Sequence, residues 1–446
     1  IMREPYHVEN LHLLLTTVAE RYGDLLDPEY LAFIQVFEQL PAAARNLYTR
    51  LVCRQAPCFR ASQLRYEDIV DLATALSALL EAEFILLQSV SPADAFHITP
   101  KGELLQWFNA PRKLKKPELI AHLHASHPEP ELSHILFAQD RWISVQHSLR
   151  VAKFELCFFG NRHQKLNEFV ITELGHVTYE IYDLSENTRY FNSRNLLAHT
   201  FALSQLQHHL DTALRGADIE TLADFARQLP PPLEDARYTR RRARVLHELG
   251  REAERRLAWP LAESLYQQSG LDSSLERLAR HALKQQSEEK LSSHEQARHY
   301  LKTILSRTHD PEHYANAWQL LRRLSPDEYA PRFEPASQTI TLPLTDDAIE
   351  LQVAAYFERQ GHWCIYVENL LFNGLLGLLF WDIIFQPVPG AFANRFQRAP
   401  LDLYEPEFQT RRQADITARL RELEAGQAAS RIAATLQDKL GIANTL

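Results

Sequence analysis

Glu368 opens a long apolar run, Val367-Glu368-Asn369-Leu370-Leu371-Phe372-Asn373-Gly374-Leu375-Leu376-Gly377-Leu378-Leu379-Phe380-Trp381-Asp382-Ile383-Ile384-Phe385, and is the carboxylate of this sequence most open to a chemical role. An unpaired carboxylate buried beside such a run is costly, so the sequence predicts a partner for Glu368: a hydrogen-bond donor, a cation or a metal ion. A second set of residues is basic. Lys113, Lys115 and Lys116 crowd the start of a short amphipathic segment, Pro111 to Ile120. Arg162 and Lys165 lie in the aromatic, glycine and amide stretch Phe158-Phe159-Gly160-Asn161-Arg162-His163-Gln164-Lys165. Arg240, Arg241 and Arg242 head a stretch, 237–259, with eight arginines against Glu248, Glu252 and Glu254. Such groups hold phosphate oxygens when they line one surface. The alternative for each is a solvated helix face laced with i,i+4 ion pairs, or an ordinary connector.

The rest of the composition bounds what these residues serve. With 446 residues the chain holds two to four domains. Its net charge of -9 excludes a uniformly basic polyanion binder and leaves local basic islands: 141–165 is net +4 and 237–259 net +5. Abundant leucine and only 13 glycines favour helices. The four cysteines, Cys53, Cys58, Cys157 and Cys364, have no metal-binding or disulfide-frame spacing. Glycine-rich phosphate loops, nucleophile elbows and zinc-protease helices are absent. His122, His124, His127 and His134 lack a nearby cysteine and read as solvated or core residues. Glu288-Glu289-Lys290 mimics a nuclease triplet but falls in a polar helical segment rather than on a strand. The N-terminus has no basic region followed by an apolar one. The apolar stretch Leu375–Phe385 is about half the ~20 residues of a membrane span. The expectation is a cytoplasmic protein with no membrane and no small-molecule cofactor.

The elements that must position the basic groups follow from periodicity. Residues 1–110 read as helices, with stripes at Leu11, Leu14, Leu15, Val18 and at Leu31, Ile34, Phe37, Leu40. Two short strands, Phe84–Leu87 and Phe96–Thr99, complete a winged-helix arrangement. Residues 111–150 follow as a basic helical segment. Residues 151–235 form a mixed connector, strand-like at Val151, Phe154, Leu156, Phe158 and at Phe169-Val170-Ile171. Residues 236–335 carry paired short helices anchored by Trp259, Tyr266 and Trp318, an α-solenoid of tetratricopeptide type. Residues 336–446 begin with a strand at Thr339–Pro343, then an amphipathic helix from Asp347 to Gln360 ended by Gly361, then the apolar run as a buried helix. The last stretch, Arg411–Leu440, is helical.

Several segments, in order, resemble the Fanconi-associated nuclease family, especially its bacterial branch. They are Leu47-Tyr48-Thr49-Arg50-Leu51 with Leu64-Arg65-Tyr66-Glu67-Asp68-Ile69, then Phe158 to Gln164, then the repeat from Arg242 to Leu278. The most specific is Leu378-Leu379-Phe380-Trp381-Asp382-Ile383-Ile384-Phe385 followed by Pro400-Leu401-Asp402-Leu403. The resemblance implies a winged-helix and SAP-like region on duplex DNA, a helical repeat that braces the nuclease, and a C-terminal VRR-NUC domain of the PD-(D/E)xK type. It further implies cleavage of 5′ flaps and trimming from the 5′ side in interstrand-crosslink repair, with Mg²⁺ or Mn²⁺ and a basic pocket for the 5′ phosphate. Glu368, thirteen residues before Trp381, matches the family's first metal-binding acid.

The sequence departs from the family pattern in one respect. The later Pro-Asp and Glu-x-Lys pair, which supplies the other metal ligands and the catalytic lysine, does not occur before Leu446. One carboxylate cannot hold an ion, acidify its water and clamp a phosphate. The expectation is therefore a mainly α chain with small β elements, carrying the DNA-handling domains and the front of the nuclease domain, and inactive alone. Its partner would be branched or 5′ flap DNA, with Lys113, Lys115, Lys116, Arg162, Lys165, Arg240, Arg241 and Arg242 on the DNA and Glu368 on the metal. A bacterial nucleoid-associated location follows. The alternatives are a non-catalytic DNA-binding scaffold and a repeat-type protein adaptor.

Overall fold

Local chemistry starts the first helices. Pro28 takes the first turn of the Pro28–Gln39 helix (α2), and Pro41 immediately precedes Ala42–Cys53 (α3). Asp71 caps Leu72–Glu81 (α4), accepting from the Thr74 backbone N–H at 2.9 Å. With Tyr6–Tyr22 (α1), whose Leu11, Leu14, Leu15 and Val18 are fully buried, they form a helical cluster closed by a small sheet. The computed structural model describes residues 5–445 apart from 55, 162–163, 167–176, 215–217, 285–289, 330–338, 344–345, 347 and 369. It divides into two units: 1–194 with 386–401 and 441–444, and 195–385 with 402–440 and 445–446.

In the first unit three antiparallel strands, Phe59–Arg60 (β1), Ile85–Leu87 (β2) and Trp142–Val145 (β3), lie in the order β1-β3-β2, with Phe59 opposite Ile143 and Ile85 opposite Val145. Phe33, Tyr48, Phe84 and Phe154 pack their rings 4.7–5.8 Å apart beneath the sheet. The second strand of the wing is thus β3, not Phe96–Thr99. Pro92–Ile98 (α5) is a helix, because Ser91 caps it and Pro92 fixes its first turn. Lys101–Trp107 (α6), Lys116–Ser126 (α7) and Glu129–Gln139 (α8) follow before the chain returns as β3. These four helices share a core of Phe96, Leu104, Leu119, Leu132, Leu136 and Trp142.

A second correction falls on residues 148–159, which form a helix (α9) rather than strands. Val151, Phe154 and Phe158 obey a helical spacing as well as an alternating one, and Phe154 through Phe159 are all buried, so hydrophobicity alone does not separate the two. The ends decide it: His147 and Gly160 both adopt left-handed backbone angles, φ 63° and 67°. Phe169-Val170-Ile171 lies outside the described residues.

In the second unit the helices Ile219–Gln228, Ala236–Arg255, Trp259–Ser269, Asp272–Lys284, Lys290–Arg307 and Pro311–Leu324 run with short links, each packed on the next. The tightest approach is at Gly250, where an added Cβ would sit 2.7 Å from the Tyr266 ring. Tyr266 is buried and donates to Glu254 at 2.6 Å, Trp259 stacks on His281 at 3.6 Å, and Trp318 packs edge-on to Tyr329 at 5.1 Å. Residues 339–343 are irregular rather than a strand. Ile349–Glu358 and Leu370–Ile384 are helices, and Gly361 adopts φ 86°. Gln413–Glu424 and Ala428–Lys439 close the unit against Leu370–Ile384.

Candidate nucleic-acid interface

Glu368 lies in the turn before the Leu370–Ile384 helix, with left-handed backbone at φ 44°. It is exposed and accepts a hydrogen bond from the Tyr366 hydroxyl at 2.7 Å. That bond holds the Tyr366 hydroxyl proton, raising its pKa above the usual phenol range. The predicted partner is therefore a donor, but the predicted burial does not occur, because the helix is buried only over its second half. Leu379, Trp381, Ile383 and Ile384 are enclosed, whereas Leu370 and Phe372 are 73% and 75% exposed. Arg419 anchors the buried half through Asp382 at 2.8 Å. Burial pushes the Asp382 carboxyl up, and the Arg419 hydrogen bond and charge outweigh it, leaving the group below its ordinary range. Among the described residues no three histidine, cysteine or acidic side chains gather to hold a metal, and Glu368 alone offers too few oxygens for a divalent ion.

The basic residues separate into open and engaged groups. Lys113 and Lys115 are exposed and make no ion pair among the described residues. They sit where the chain enters α7, and the Lys115 backbone N–H is capped by Glu118 at 2.8 Å. Lys116 spends its ammonium on the His97 carbonyl at 2.8 Å, which ties α7 to α5. Lys101, not singled out in the sequence, joins this strip by donating to the Arg112 carbonyl at 3.4 Å. Its signal was distance: only the folding of α6 back beside the 112–116 turn adds it.

Lys165 is half-buried and paired with Glu155 at 3.3 Å, so it is a structural cation rather than an open phosphate ligand. Arg162 lies outside the described residues. The turn that carries them is an anchor for another segment: the Asn394 side-chain amide donates to the Phe158 carbonyl at 2.9 Å, and Leu401 crowds Gly160, where a Cβ would stand 2.7 Å from it. Glycine at 160 is required both by this approach and by its backbone angle.

Arg240 and Arg242 are also engaged. Arg240 meets Glu405 and Glu407, each at 2.6 Å, and Arg242 donates to the Pro230 carbonyl at 2.9 Å. Burial raises the Glu407 carboxyl, and the Arg240 contact more than offsets this, holding it below the usual carboxylate range. Arg241 is half-buried on the same helix and has interactions of its own. The triple-arginine set is therefore largely a brace between the repeat and residues 405–407.

Arg244, more than half exposed, reaches Glu405 at 3.6 Å and lines a groove of about 330 Å³ with His247, Glu248, Asp272, Ser273 and His313. His247 sits 2.8 Å from the Ser274 hydroxyl, which donates to Ser269, which donates to the Ala243 carbonyl. Burial and the nearby charges of Arg251 and Arg277 pull the His247 pKa down to about 4. Glu288 and Glu289 lie outside the described residues. Among the described residues no helix is long and apolar enough to cross a membrane.

Comparison with known proteins bears on what these surfaces face. Residues 5–86 match the family described as FAN1, HTH domain. The chain is 31% identical over 459 residues to the Fanconi-associated nuclease 1 homolog of Pseudomonas aeruginosa, an alignment spanning 98% of this chain and 79% of that protein. It is 23% identical over 530 residues to Fanconi-associated nuclease 1 of Homo sapiens, spanning 93% of this chain and 51% of the human one. Among solved structures, paFAN1 bound to DNA with a two-nucleotide 5′ flap and a gap superposes with a TM-score of 0.80 at 28% identity, covering 100% of this chain and 82% of that one. The chain thus spans about four-fifths of the Pseudomonas relative and about half of the human relative.

Proposed function

Because the chain belongs to the Fanconi-associated nuclease 1 family, we propose that it serves a structure-specific nuclease that engages branched DNA carrying a 5′ flap, cuts at the flap and trims from the 5′ side in interstrand-crosslink repair. The observation that carries this reading is the likeness over the whole chain to paFAN1 held on 5′ flap DNA. The open lysines at 113 and 115 supply a positive surface of the kind that takes phosphate oxygens. The 1–110, 111–150, 151–235, 236–335 and 336–446 divisions are offered as its working parts: a winged-helix region, a SAP-like segment, a connector, a bracing repeat and the front of the nuclease domain. A place in the cytoplasm at the nucleoid follows from the DNA partner.

Competition binding by fluorescence anisotropy tests the reading. A flap should outcompete a duplex of equal length, and the affinity should fall steeply with salt as bound phosphates release counterions. Equal affinity for the two DNAs would remove structure specificity, and no DNA binding would favour a protein adaptor.

Glu368 would then hold a Mg²⁺ or Mn²⁺ ion, by its match to the family's first metal-binding acid, with further oxygen ligands that the described residues do not bring to it. In a protein carrying those ligands, Glu368→Gln should keep flap affinity and abolish metal-dependent cleavage, since the amide lacks the charge a hard cation prefers. Retained cleavage would make Glu368 structural.

A further inference from the structure

The four helices α5–α8 are an insertion inside the wing: the chain leaves the sheet after β2 and returns as β3. The insertion carries the open lysines, Lys113 and Lys115, while the region it hangs from repels polyanions. Residues 5–86 hold six arginines against eleven acids, a net of −5, and α4, the last helix before β2, has no lysine or arginine and is bracketed by Asp71 and Glu81. Where Lys113 and Lys115 offer their charge on this unit therefore depends on where the insertion is held.

One buried cation holds it. Arg60, at the end of β1, is 8% exposed. Its Nε donates to Asp140 at 2.8 Å, at the C-terminal end of α8, and its Nη1 pairs with Glu103 of α6. The guanidinium plane also lies 4.9 Å from the Trp107 ring centroid and 5.7 Å from that of Trp142. Asp140 accepts in addition from the Ser62 backbone N–H at 3.3 Å and the Arg141 backbone N–H at 2.8 Å. Gln88, just beyond β2, adds neutral ties to the Phe137 and Asp140 carbonyls. A fork that satisfies two carboxylates and faces two indoles fixes direction as well as distance, which an ammonium cannot do. The apolar core of the insertion runs on into the sheet through Trp142 of β3 and Cys58, so the fork sets the direction of helices that this packing already holds against the wing.

We propose that Arg60 is a positioning residue for DNA: it sets the α5–α8 insertion on the wing so that Lys113 and Lys115 meet the phosphate backbone at a fixed place in the unit. This rests on the DNA-binding reading above. Arg60 is itself too enclosed to touch a phosphate, so its effect passes through the lysines.

The test is a double-mutant cycle on flap DNA, read as affinity and as the slope of log affinity against log salt. Lys113→Gln/Lys115→Gln should lower the slope by about 2, from two lost phosphate contacts at ~0.9 each, and the affinity by on the order of tenfold. Arg60→Gln should produce a loss of similar size and the same change of slope. Added to the lysine pair it should cost little more, because both act on the same contacts. Arg60→Lys should restore only part. Should Arg60→Gln melt the unit, seen in the emission of Trp107 and Trp142 and in the melting temperature, Glu103→Gln is read instead. It removes one carboxylate and leaves Arg60 with Asp140, and the same non-additive loss is expected, smaller in size. Unchanged affinity in the Arg60 or Glu103 variant beside a weakened lysine pair overturns the positioning role and leaves the DNA-binding reading standing. So does an additive cycle with an unchanged slope, which marks a stability effect alone. A lysine pair with no effect overturns DNA contact by the insertion, and this inference with it.

Discussion

Lys113 and Lys115 stand exposed with their ammonium groups in no ion pair among the described residues, whereas Arg240 and Arg242 direct theirs inward, to Glu405, Glu407 and the Pro230 carbonyl. Both stretches are dense in positive charge, and only one offers it outward. The difference is whether acids arrive to meet the cations. In the repeat they come from residues 405–407, more than 160 positions along the chain. At the head of α7 the nearby acid, Glu118, is committed to capping a backbone N–H instead. Charge density in a stretch sets a potential, and the fold decides whether solvent or a phosphate can use it.

The largest effect expected from this comparison lies where a guanidinium is most enclosed. Arg412 is fully buried with Asp402 at 2.9 Å, beside the 405–407 brace. Arg412→Ala leaves the buried Asp402 with only the more distant Arg411, at 3.6 Å, and should destabilise by about 3 kcal/mol. Arg240→Ala, at a partly open pair, should cost less, about 1–3 kcal/mol. Urea unfolding checks both. In each case the salt slope of DNA binding by the folded protein should stay as it is. A lowered slope for Arg240→Ala would turn the brace back into a phosphate contact and erase the contrast with Lys113 and Lys115, whose replacement should leave the melting temperature unchanged.

A smaller effect sharpens the same contrast through pH. His247 has a folded pKa of about 4, against 6.5 for the ordinary imidazole, because burial and the charges of Arg251 and Arg277 oppose its protonation. The unfolded chain therefore binds a proton that the folded chain refuses. The stability from neutral His247 is fully present above pH 6.5, falls as the pH drops, and is lost by about pH 4. Thermal melts across this window should show a decline that His247→Gln flattens. An unchanged decline in the variant would mean that other groups, such as the carboxylates paired elsewhere, carry the acid sensitivity.

Much of the fold was legible because it rests on local rules. The stripes of α1 and α2, the helices of the repeat with Tyr266 and Trp259 at their contacts, and the stop at Gly361 follow from helical spacing and from backbone angles that glycine adopts. The misread segments are those where a local rule had two solutions. Phe96–Thr99 has strand-like composition, yet Ser91 and Pro92 start a helix; residues 151–158 alternate, yet left-handed residues close a helix around them. The candidate site was legible by residue type and less so by availability. Glu368 was expected beside a buried helix and stands exposed, because the apolar run is enclosed only from Gly377 onward.

What the sequence by itself determined are the quantities set by nearest neighbours: helix starts and stops, the mainly α class, the local excess of charge and the ordered motifs of the nuclease family. What only the tertiary structure decided is which groups meet. It brought Asn394 and Leu401 onto the Phe158–Gly160 turn, Glu405 and Glu407 onto Arg240, and Glu103 and Asp140 onto Arg60. The physical reason is that desolvation and pairing depend on distance in space, and a carboxylate tens or hundreds of positions away changes the role of a cation without leaving any mark in the cation's own stretch of sequence.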